Sequence, residues 1–337
     1  MPRITVLHTP TKPQGAAQLG QAFETEFVAA LGFSQQRAIL ECCVSERFSM
    51  KLMRIGQPGA ERPAVAVDSE NYIDISDLVT DFDSDFFQNE KWIEIKPEVE
   101  RRIASKSYRQ ISESRVGAPF ARPHQIICIG LNYADHAKES GAEVPPEPII
   151  FTKASNTLIG PDDDVIIPKA SLKTDWEVEL GIVIGKRAKY LASPAEAESH
   201  IAGYVLCNDV SEREFQLERQ GQWSKGKSCE TFNPAGPWLV TRDELSDVSD
   251  LKMSLKVNGQ VRQNSTTAQM VFKPDFLVYY LSQFMVLEPG DLINTGTPPG
   301  VGLGMKPPVF LQDGDFMELE IEGLGRQAQR AVAYRGN

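Results

Sequence analysis

The sequence predicts an α+β fold built around a mixed, mostly antiparallel β core. Short strand-like segments outnumber helical ones, and the two kinds do not alternate regularly as they would in a parallel α/β fold. Two alternating segments flank Asn258-Gly259, a pair that accepts the two positive φ angles of a type I′ hairpin turn. Apolar residues at helical spacing in 276–284, after Pro274 in the first turn, predict an amphipathic helix.

The strand predictions rest on alternating or wholly apolar runs that are bounded by turn residues. In chain order, these segments are 51–55, 63–67, 72–75, 125–130, 149–151, 175–184, 204–207, 255–257, 260–262, 291–293 and 316–322. Residues 81–104 are expected to be helical or irregular, and residues 133–140 to begin a helix with Asn132 as a candidate N-cap.

Three parts are predicted along the chain. Residues 1–49 show only weak helical periodicity, so they are expected to be either an extension upstream of a natural start at Met50 or a loosely attached arm. Residues 50–117 predict a small α+β domain, and the turn-rich segment 116–123 is a plausible linker. Residues 118–337 are then expected to form the larger domain.

Composition excludes several classes of protein. The 337 residues, 41% of them hydrophobic and 24% charged, suit a globular enzyme or binding protein. A net charge of −11 argues against a nucleic-acid partner, and no apolar run is long enough to span a membrane. The five cysteines include no CxxC pair, which favours a reducing, cytoplasmic setting; Cys128 and Cys207 are expected in the core.

The stretch 175–184 predicts a strand that carries carboxylates into a buried region. Asp175, Glu177 and Glu179 share one face, and the strand then becomes wholly apolar. Carboxylates this close repel unless water or a cation lies between them. The segment 316–322 alternates as well but lacks the apolar run, so its acidic face is expected in solvent. For Glu177 and Glu179 the pattern leaves a metal site and a solvated face equally open.

Asp209 follows another apolar segment and is a candidate third ligand. Three carboxylates without a nearby Cys or His favour Mg²⁺, Mn²⁺ or Ca²⁺ over Zn²⁺, although an Asp after a strand is also a common turn residue. No P-loop or GxGxxG motif with a ribose-binding acid is present, so no nucleotide or other organic cofactor is expected.

His136 and Glu139 would be neighbours, three positions apart on a helix. A carboxylate beside an imidazole orients it and raises its basicity, which suits a general base acting on water. An ordinary surface pair is the alternative.

Further polar residues could bind an anionic, oxygen-rich substrate: Arg213, Gln216 and Lys227. The loop 295–302 is stiffened by glycine and proline, and its backbone N–H groups could cradle a carboxylate. Solvated side chains and a simple turn are the alternatives.

Five motifs occur in order along the chain: IGLNYADH at 129–136, DWEVEL at 175–180, NDVSER at 208–213, GKS at 226–228 and TGTPPGVG at 295–302. With these motifs the chain, over about residues 50–337, resembles the fumarylacetoacetate hydrolase family. Within the family it is most similar to the bacterial 2,4-diketo-3-deoxy-L-fuconate hydrolases, a branch in which similar sequences are often labelled ureidoglycolate lyase.

The resemblance implies a fold, a metal and site residues. The fold would be a mixed β-roll or barrel catalytic domain after a small N-terminal domain, in a homodimer or higher homo-oligomer. Mg²⁺ or Mn²⁺ would be held by Glu177, Glu179 and Asp209, and His136 with Glu139 would activate water on a segment that orders over the substrate. The remaining residues expected at the substrate are Lys227, Arg213, Gln216, Thr297, Gly296 and Tyr133.

The implied activity is metal-dependent hydrolysis of a C–C bond in a sugar-acid-derived 2,4-diketo acid, releasing pyruvate. The metal would polarise the substrate oxygens, His136 would deprotonate the attacking water, and Lys227 would help to stabilise the departing enolate. Leu131 stands where acylpyruvate-cleaving relatives tend to carry a basic residue, so we expect a substrate other than a simple acylpyruvate or oxaloacetate.

Two other kinds of function remain open. One uses the same enolate without hydrolysis, as in ureidoglycolate lyase, 2-hydroxyhepta-2,4-diene-1,7-dioate isomerase, a hydratase or oxaloacetate decarboxylase. The other is a non-catalytic protein that binds a metal or a small ligand.

Overall fold

The computed structural model describes residues 50–135, 139 and 143–336. The predictions for residues 1–49 and for His136 lie outside the described residues. The strands are β1 Lys51–Ile55, β2 Arg62–Ala66, β3 Asn71–Asp74, β4 Arg109–Gln110, β5 Val116–Gly117, β6 Ile126–Gly130, β7 Ile149–Lys153, β8 Leu158–Ile159, β9 Val165–Ile167, β10 Thr174–Asp175, β11 Val178–Ile184, β12 Ile201–Asn208, β13 Ser211–Glu212, β14 Asn233–Pro234, β15 Leu239–Thr241, β16 Lys252–Val257, β17 Gln260–Thr266, β18 Leu292–Asn294, β19 Phe316–Ile321 and β20 Gly325–Ala333.

Helices are few and mostly short in the described part of the chain. The α-helices there are α1 Ser84–Gln88, α2 Lys91–Ala104, α3 Pro194–Ala197, α4 Ser224–Lys227 and α5 Pro274–Ser282. A π-helical turn spans Glu214–Glu218, and it brings Arg213 and Gln216 together at the site described below. Within the described residues, no helix has the length and apolar character needed to cross a bilayer.

The strands form two main sheets. The larger has eleven strands, ten of them in the order β4-β3-β2-β1-β15-β12-β11-β18-β6-β7, and β5 pairs with β1. A five-stranded sheet, ordered β17-β16-β19-β20-β9, packs against β11 and β12. Most pairs are antiparallel, whereas β18 with β6, β14 with β8 and β20 with β9 are parallel. The predicted α+β class with a mixed core is confirmed, and the described strands form open sheets rather than a closed barrel.

Several local predictions hold for clear physical reasons. Asn258 and Gly259, with φ of 51° and 75°, connect β16 to β17 as the type I′ pattern requires. The amphipathic helix α5 begins at Pro274, as predicted. On β19, Glu318 and Glu320 are exposed while the alternate residues are buried, so this strand has the expected solvated face.

The centre of the larger sheet supports the candidate site. Every residue of β11 and β12 is buried, and Cys128 and Cys207 are free thiols in the core, as predicted. The sheet also includes β1, which pairs with β15 through Lys51 and Val240. The predicted division between residues 50–117 and 118–337 stays a prediction.

Candidate metal and substrate site

Three carboxylates converge where β11 and β12 meet. Glu179 lies on β11, Glu177 immediately precedes that strand, and Asp209 immediately follows β12. The strands are antiparallel, and the amide of Asp209 donates to the carbonyl oxygen of Glu177 at 2.9 Å, so the three side chains meet at one end of the pair. Each contributes an oxygen that lies within 4.8 Å of the others, and all three residues are buried.

The strand that carries Glu177 is interrupted, which the sequence pattern did not predict. β10 ends at Asp175 and β11 begins at Val178. In the gap, side chains accept the backbone N–H groups: Asp175 accepts from Trp176 at 2.9 Å, and the Asn208 side chain accepts from Glu177 at 3.1 Å. Because Glu177 lies in this gap, its backbone is not held in regular strand geometry. Its side chain can therefore approach the same point as the side chain of Glu179.

Two buried lysines neutralise part of this cluster. Lys227, at the end of α4, places Nζ 2.7 Å from both Glu177 Oε2 and Asp209 Oδ2. Lys153, the last residue of β7, donates to Asp209 Oδ1 and, at 3.1 Å, to the carbonyl oxygen of Val210. Sequence reasoning missed Lys153, although a lysine at the end of the apolar segment Ile-Ile-Phe-Thr-Lys was an available signal.

Arg213 lies between two carboxylates. Its Nε donates to Asp175 Oδ2 at 2.8 Å, one terminal nitrogen lies 2.7 Å from Glu177 Oε1, and the other donates to Gln216 Oε1 at 3.0 Å. Arg213 therefore holds the acidic cluster and Gln216 in place, beyond its predicted role as a substrate contact.

Glu177 and Glu179 have opposite electrostatic surroundings. Burial alone would raise the pKa of Glu177, but the charges and hydrogen bonds of Lys227 and Arg213 lower it to about 2. Burial, followed by the negative charges of Asp209 and Glu177, raises the pKa of Glu179 well above its usual value. Glu179 accepts a hydrogen bond from the Gly296 amide at 2.8 Å and forms no ion pair with another described residue.

The donor set fits a divalent cation. Asp175, Glu177 and Asp209 are each paired with at least one of three buried cations, Lys153, Arg213 and Lys227, whereas Glu179 has no cationic partner among the described residues. A bound cation would supply that partner. The converging donors are all carboxylate oxygens, the ligands that Mg²⁺ and Mn²⁺ prefer.

The loop 295–302 uses its backbone N–H groups on the protein's own carboxylates. Gly296 donates to Glu179, Gly300 donates to Glu139 Oε1 at 3.0 Å, and Gly302 donates to Asp175 Oδ1 at 2.7 Å. The sequence predicts that this loop could cradle a carboxylate, and the carboxylates that it holds in the structure belong to the protein. Asp175 is fully buried, so it does not face solvent.

A cavity of about 420 Å³ opens onto this cluster. The predicted site residues that line it are Glu139, Glu177, Glu179, Arg213, Gln216, Lys227 and Thr297. The Thr297 hydroxyl donates to the carbonyl oxygen of Val178 at 2.9 Å and accepts from Gln263, so it is already bonded within the protein. The cavity therefore combines carboxylates and cations at one end of a space large enough for a small organic acid.

Other predicted residues lie elsewhere. Tyr133 is buried in the core, its hydroxyl lies 3.1 Å from Met253 Sδ, and it is outside the described lining of the cavity. Gly296 contributes through Glu179 rather than by lining the cavity. Asn132 is not a simple helix cap, because its side-chain amide joins Phe272 and the carbonyl oxygen of Thr295.

The chain is similar to known proteins over most of its length. The family model described as fumarylacetoacetate (FAA) hydrolase C-terminal matches residues 125–332. A Burkholderia multivorans protein, whose name assigns it provisionally to the hydrolases, is 48% identical over 289 residues, covering 85% of this chain and 100% of that protein.

Solved structures agree with that match. The fumarylacetoacetate hydrolase of Exiguobacterium antarcticum is 35% identical with a TM-score of 0.73, covering 85% of this chain and 100% of that chain. The 5-carboxymethyl-2-hydroxymuconate delta-isomerase of Mycobacterium smegmatis is 32% identical with a TM-score of 0.67 and the same coverage. The chain therefore belongs to the fumarylacetoacetate hydrolase family, whose members are hydrolases, isomerases or decarboxylases.

Proposed function

We propose that this protein is a divalent-metal-dependent hydrolase that cleaves a C–C bond in a 2,4-diketo acid and releases pyruvate. The observation that carries the proposal is the convergence of Glu177, Glu179 and Asp209 at the polar end of the cavity, with Lys227 beside them. Similarity to the fumarylacetoacetate hydrolase of Exiguobacterium antarcticum supports the hydrolytic assignment.

Glu177, Glu179 and Asp209 are the residues that would hold Mg²⁺ or Mn²⁺. When bound, the cation supplies Lewis-acid polarisation of the substrate's carbonyl oxygens. The chain's own contribution at this end is Lys227, whose buried ammonium favours negative charge on the oxygen of a departing enolate. Arg213 keeps Glu177 in position and holds the Gln216 side chain at the cavity wall.

His136 and Glu139 are the proposed water-activating pair. Glu139 lines the cavity, and the Gly300 amide donates to its carboxylate. His136 lies outside the described residues, so its role as the base is assigned from its motif alone. His136 takes a proton from the water that attacks the 4-carbonyl carbon. The C3–C4 bond then breaks, C4 becomes a carboxylic acid, and the pyruvate enolate takes up a proton at C3.

The test is the isosteric substitution Glu179→Gln. It removes the carboxylate that has no cationic partner in the described part of the chain, while an amide oxygen can still accept from Gly296, so the fold is expected to persist. Calorimetry should show that the variant no longer binds Mg²⁺. The rate of pyruvate release from 2,4-diketo acids should fall roughly hundredfold or more, because the metal no longer stabilises the negative charge that develops on the substrate oxygens.

Glu318→Gln is the matched control. It makes the same chemical change on the exposed face of β19, and metal binding and turnover should stay as in the parent. Full metal-dependent turnover by Glu179→Gln would overturn the proposal.

An isomerase using the same enolate is the second candidate, because a Mycobacterium smegmatis delta-isomerase has the same fold at 32% identity. Product analysis separates the two functions. A hydrolase yields pyruvate and a carboxylic acid in equal amounts, whereas an isomerase yields a product of unchanged mass and a decarboxylase yields CO₂. Metal binding without turnover of any diketo acid would instead indicate a binding protein.

A further inference from the structure

The cavity has a second part with a different character from the carboxylate–cation end. Large apolar side chains make up most of its remaining lining. Six of them are Leu131, Phe151, Leu217, Trp223, Leu303 and Met305. The charged residues in this part of the described lining are Glu139, which the Gly300 amide holds, and Lys306 at an exposed position.

One wall of this apolar part is aromatic and continuous with the polar end. Lys227 Nζ lies 5.1 Å from the centre of the Phe151 ring, and the Phe151 and Trp223 rings lie 5.3 Å apart in an edge-on arrangement. Trp223 also packs closely on Gly130, where an added Cβ would lie 2.6 Å from the indole. The aromatic surface therefore begins beside Lys227 and extends away from it along fixed rings.

Two leucines of this apolar lining are partly exposed to solvent in the free protein. Leu217 and Leu303 are 44% and 38% exposed, although both are large apolar residues that line the cavity. Leu131 has a φ of 54°, a left-handed conformation that is unfavourable for leucine. An apolar ligand group would cover this surface, whereas solvent leaves it exposed.

A polyhydroxylated group would suit this part of the cavity poorly. Each sugar-type hydroxyl that loses water needs a new hydrogen-bond partner, and the apolar side chains here supply none. A hydrocarbon group instead gains by leaving water, and an aromatic group can also pack against the Phe151 and Trp223 rings.

We propose that this protein selects a 2,4-diketo acid whose acyl group is apolar, and preferably aromatic or conjugated, over one that carries a sugar-derived chain. The inference rests on the proposed function for the diketo-acid end, and it assigns the acyl group to the surface formed by Phe151, Trp223, Leu217 and Leu303. Leu131 extends that apolar surface.

Three substrates with the same reacting end test the proposal: benzoylpyruvate, acetylpyruvate and glyceroylpyruvate. With Mg²⁺ present, kcat/KM for pyruvate release should be roughly tenfold or more higher for benzoylpyruvate than for acetylpyruvate. Glyceroylpyruvate should be no better than acetylpyruvate. Turnover with equal kcat/KM for all three, or a preference for glyceroylpyruvate, would overturn the inference while leaving the proposed hydrolysis intact.

Substitutions on the apolar surface test whether this surface determines the preference for benzoylpyruvate. Trp223→Ala should reduce kcat/KM for benzoylpyruvate by roughly tenfold, mainly through KM, and by less for acetylpyruvate. Trp223→Phe should recover much of the preference. Leu217→Ser changes an exposed side chain, so this variant should fold even if Trp223→Ala does not. It should also reduce the ratio of kcat/KM for benzoylpyruvate to kcat/KM for acetylpyruvate. Phe284→Ala, at a 63% exposed aromatic residue outside the cavity lining, is the control and should leave all three values unchanged.

A binding measurement separates this inference from the proposed reaction. If none of the three acids releases pyruvate, the proposed hydrolysis fails, and the apolar surface can still be tested by calorimetry with Mg²⁺ and simple 2-oxo acids. Phenylpyruvate should then bind more tightly than pyruvate or hydroxypyruvate, and Trp223→Ala should reduce that difference. Equal affinities, or tighter binding of hydroxypyruvate, would contradict the inference.

Discussion

Glu177 and Glu179 lie two positions apart, yet their neighbours give them different roles in the buried cluster. Lys227 and Arg213 compensate the charge of Glu177, whereas Glu179 is held by the Gly296 amide. A cation at this point would therefore gain most from Glu179. That difference makes Glu179 the most informative ligand to neutralise, and it could not be inferred from two identical residues in an alternating pattern.

Lys153 shows how a residue outside the recognised motifs supports the site. Its side chain is fully buried against Asp209, and it also donates to the carbonyl oxygen of Val210. Breaking a buried pair by removing one partner leaves an uncompensated charge, which costs several kcal/mol.

We predict that Lys153→Met lowers the free energy of unfolding of chelator-treated protein by about 3 kcal/mol, because Asp209 loses a buried cationic partner. Saturating Mg²⁺ should restore part of that loss, since the cation can compensate the carboxylates. Urea unfolding with chelator and with Mg²⁺ measures both effects.

Lys173→Met is the control for this prediction, because Lys173 pairs with Glu218 on the surface. The control should change stability by less than about 1 kcal/mol. Equal stability of the two variants in chelator would show that Lys153 does not carry the role assigned to it.

At the scale of single elements, the sequence distinguished the two acidic strands only in part. The solvated face of β19 follows from its alternation, and the structure confirms it. The break between β10 and β11 was not predictable, because the groups that accept the N–H of Glu177 and Val178 come from Asn208 and Gln263, far along the chain. Side chains supplied over such sequence distances leave no local signal.

Helix α4 is another element whose function depends on close packing. A Cβ added at Gly226 would lie 2.2 Å from the carbonyl oxygen of Glu212 and 2.6 Å from the amide nitrogen of Gln216. The helix can therefore approach the neighbouring backbone only with glycine at this position. That approach places the next residue, Lys227, on Glu177 and Asp209.

We predict that Gly226→Ala displaces α4 and lowers kcat for pyruvate release roughly tenfold to a hundredfold, because small displacements of a catalytic group have large effects. Overpacking should also reduce stability by about 1–3 kcal/mol. Steady-state kinetics and thermal unfolding provide the two measurements.

Lys225→Ala, at an exposed position of the same helix, serves as the comparison and should retain the parental kcat. If Gly226→Ala also retained it, the close approach of α4 would not be what positions Lys227.

At the scale of the whole molecule, the site joins segments that are distant along the chain. Lys153 ends β7 at the edge of the larger sheet, Glu179 and Asp209 come from its centre, and Lys227 comes from a short helix. The strand composition predicted the α+β class and the mixed core. It did not predict that β18 lies between β11 and β6, because that order depends on long-range pairing.

Sequence reasoning nevertheless named most of the polar residues that the folded chain brings to the cavity. Glu177, Glu179 and Lys227 line the cavity, and Asp209 completes the carboxylate group. Tyr133 lies in the core, because a motif position cannot show whether a side chain faces the cavity or the core, and its contact with a substrate stays a prediction.

Anomalous scattering from crystals grown with Mn²⁺ would locate the metal relative to the carboxylate cluster. We expect one Mn²⁺ peak in direct contact with the carboxylates of Glu177, Glu179 and Asp209, and we expect no such peak in Glu179→Gln crystals grown under the same conditions. Mn²⁺ bound away from these three residues, or an unchanged peak in the Glu179→Gln protein, would contradict the proposed metal site.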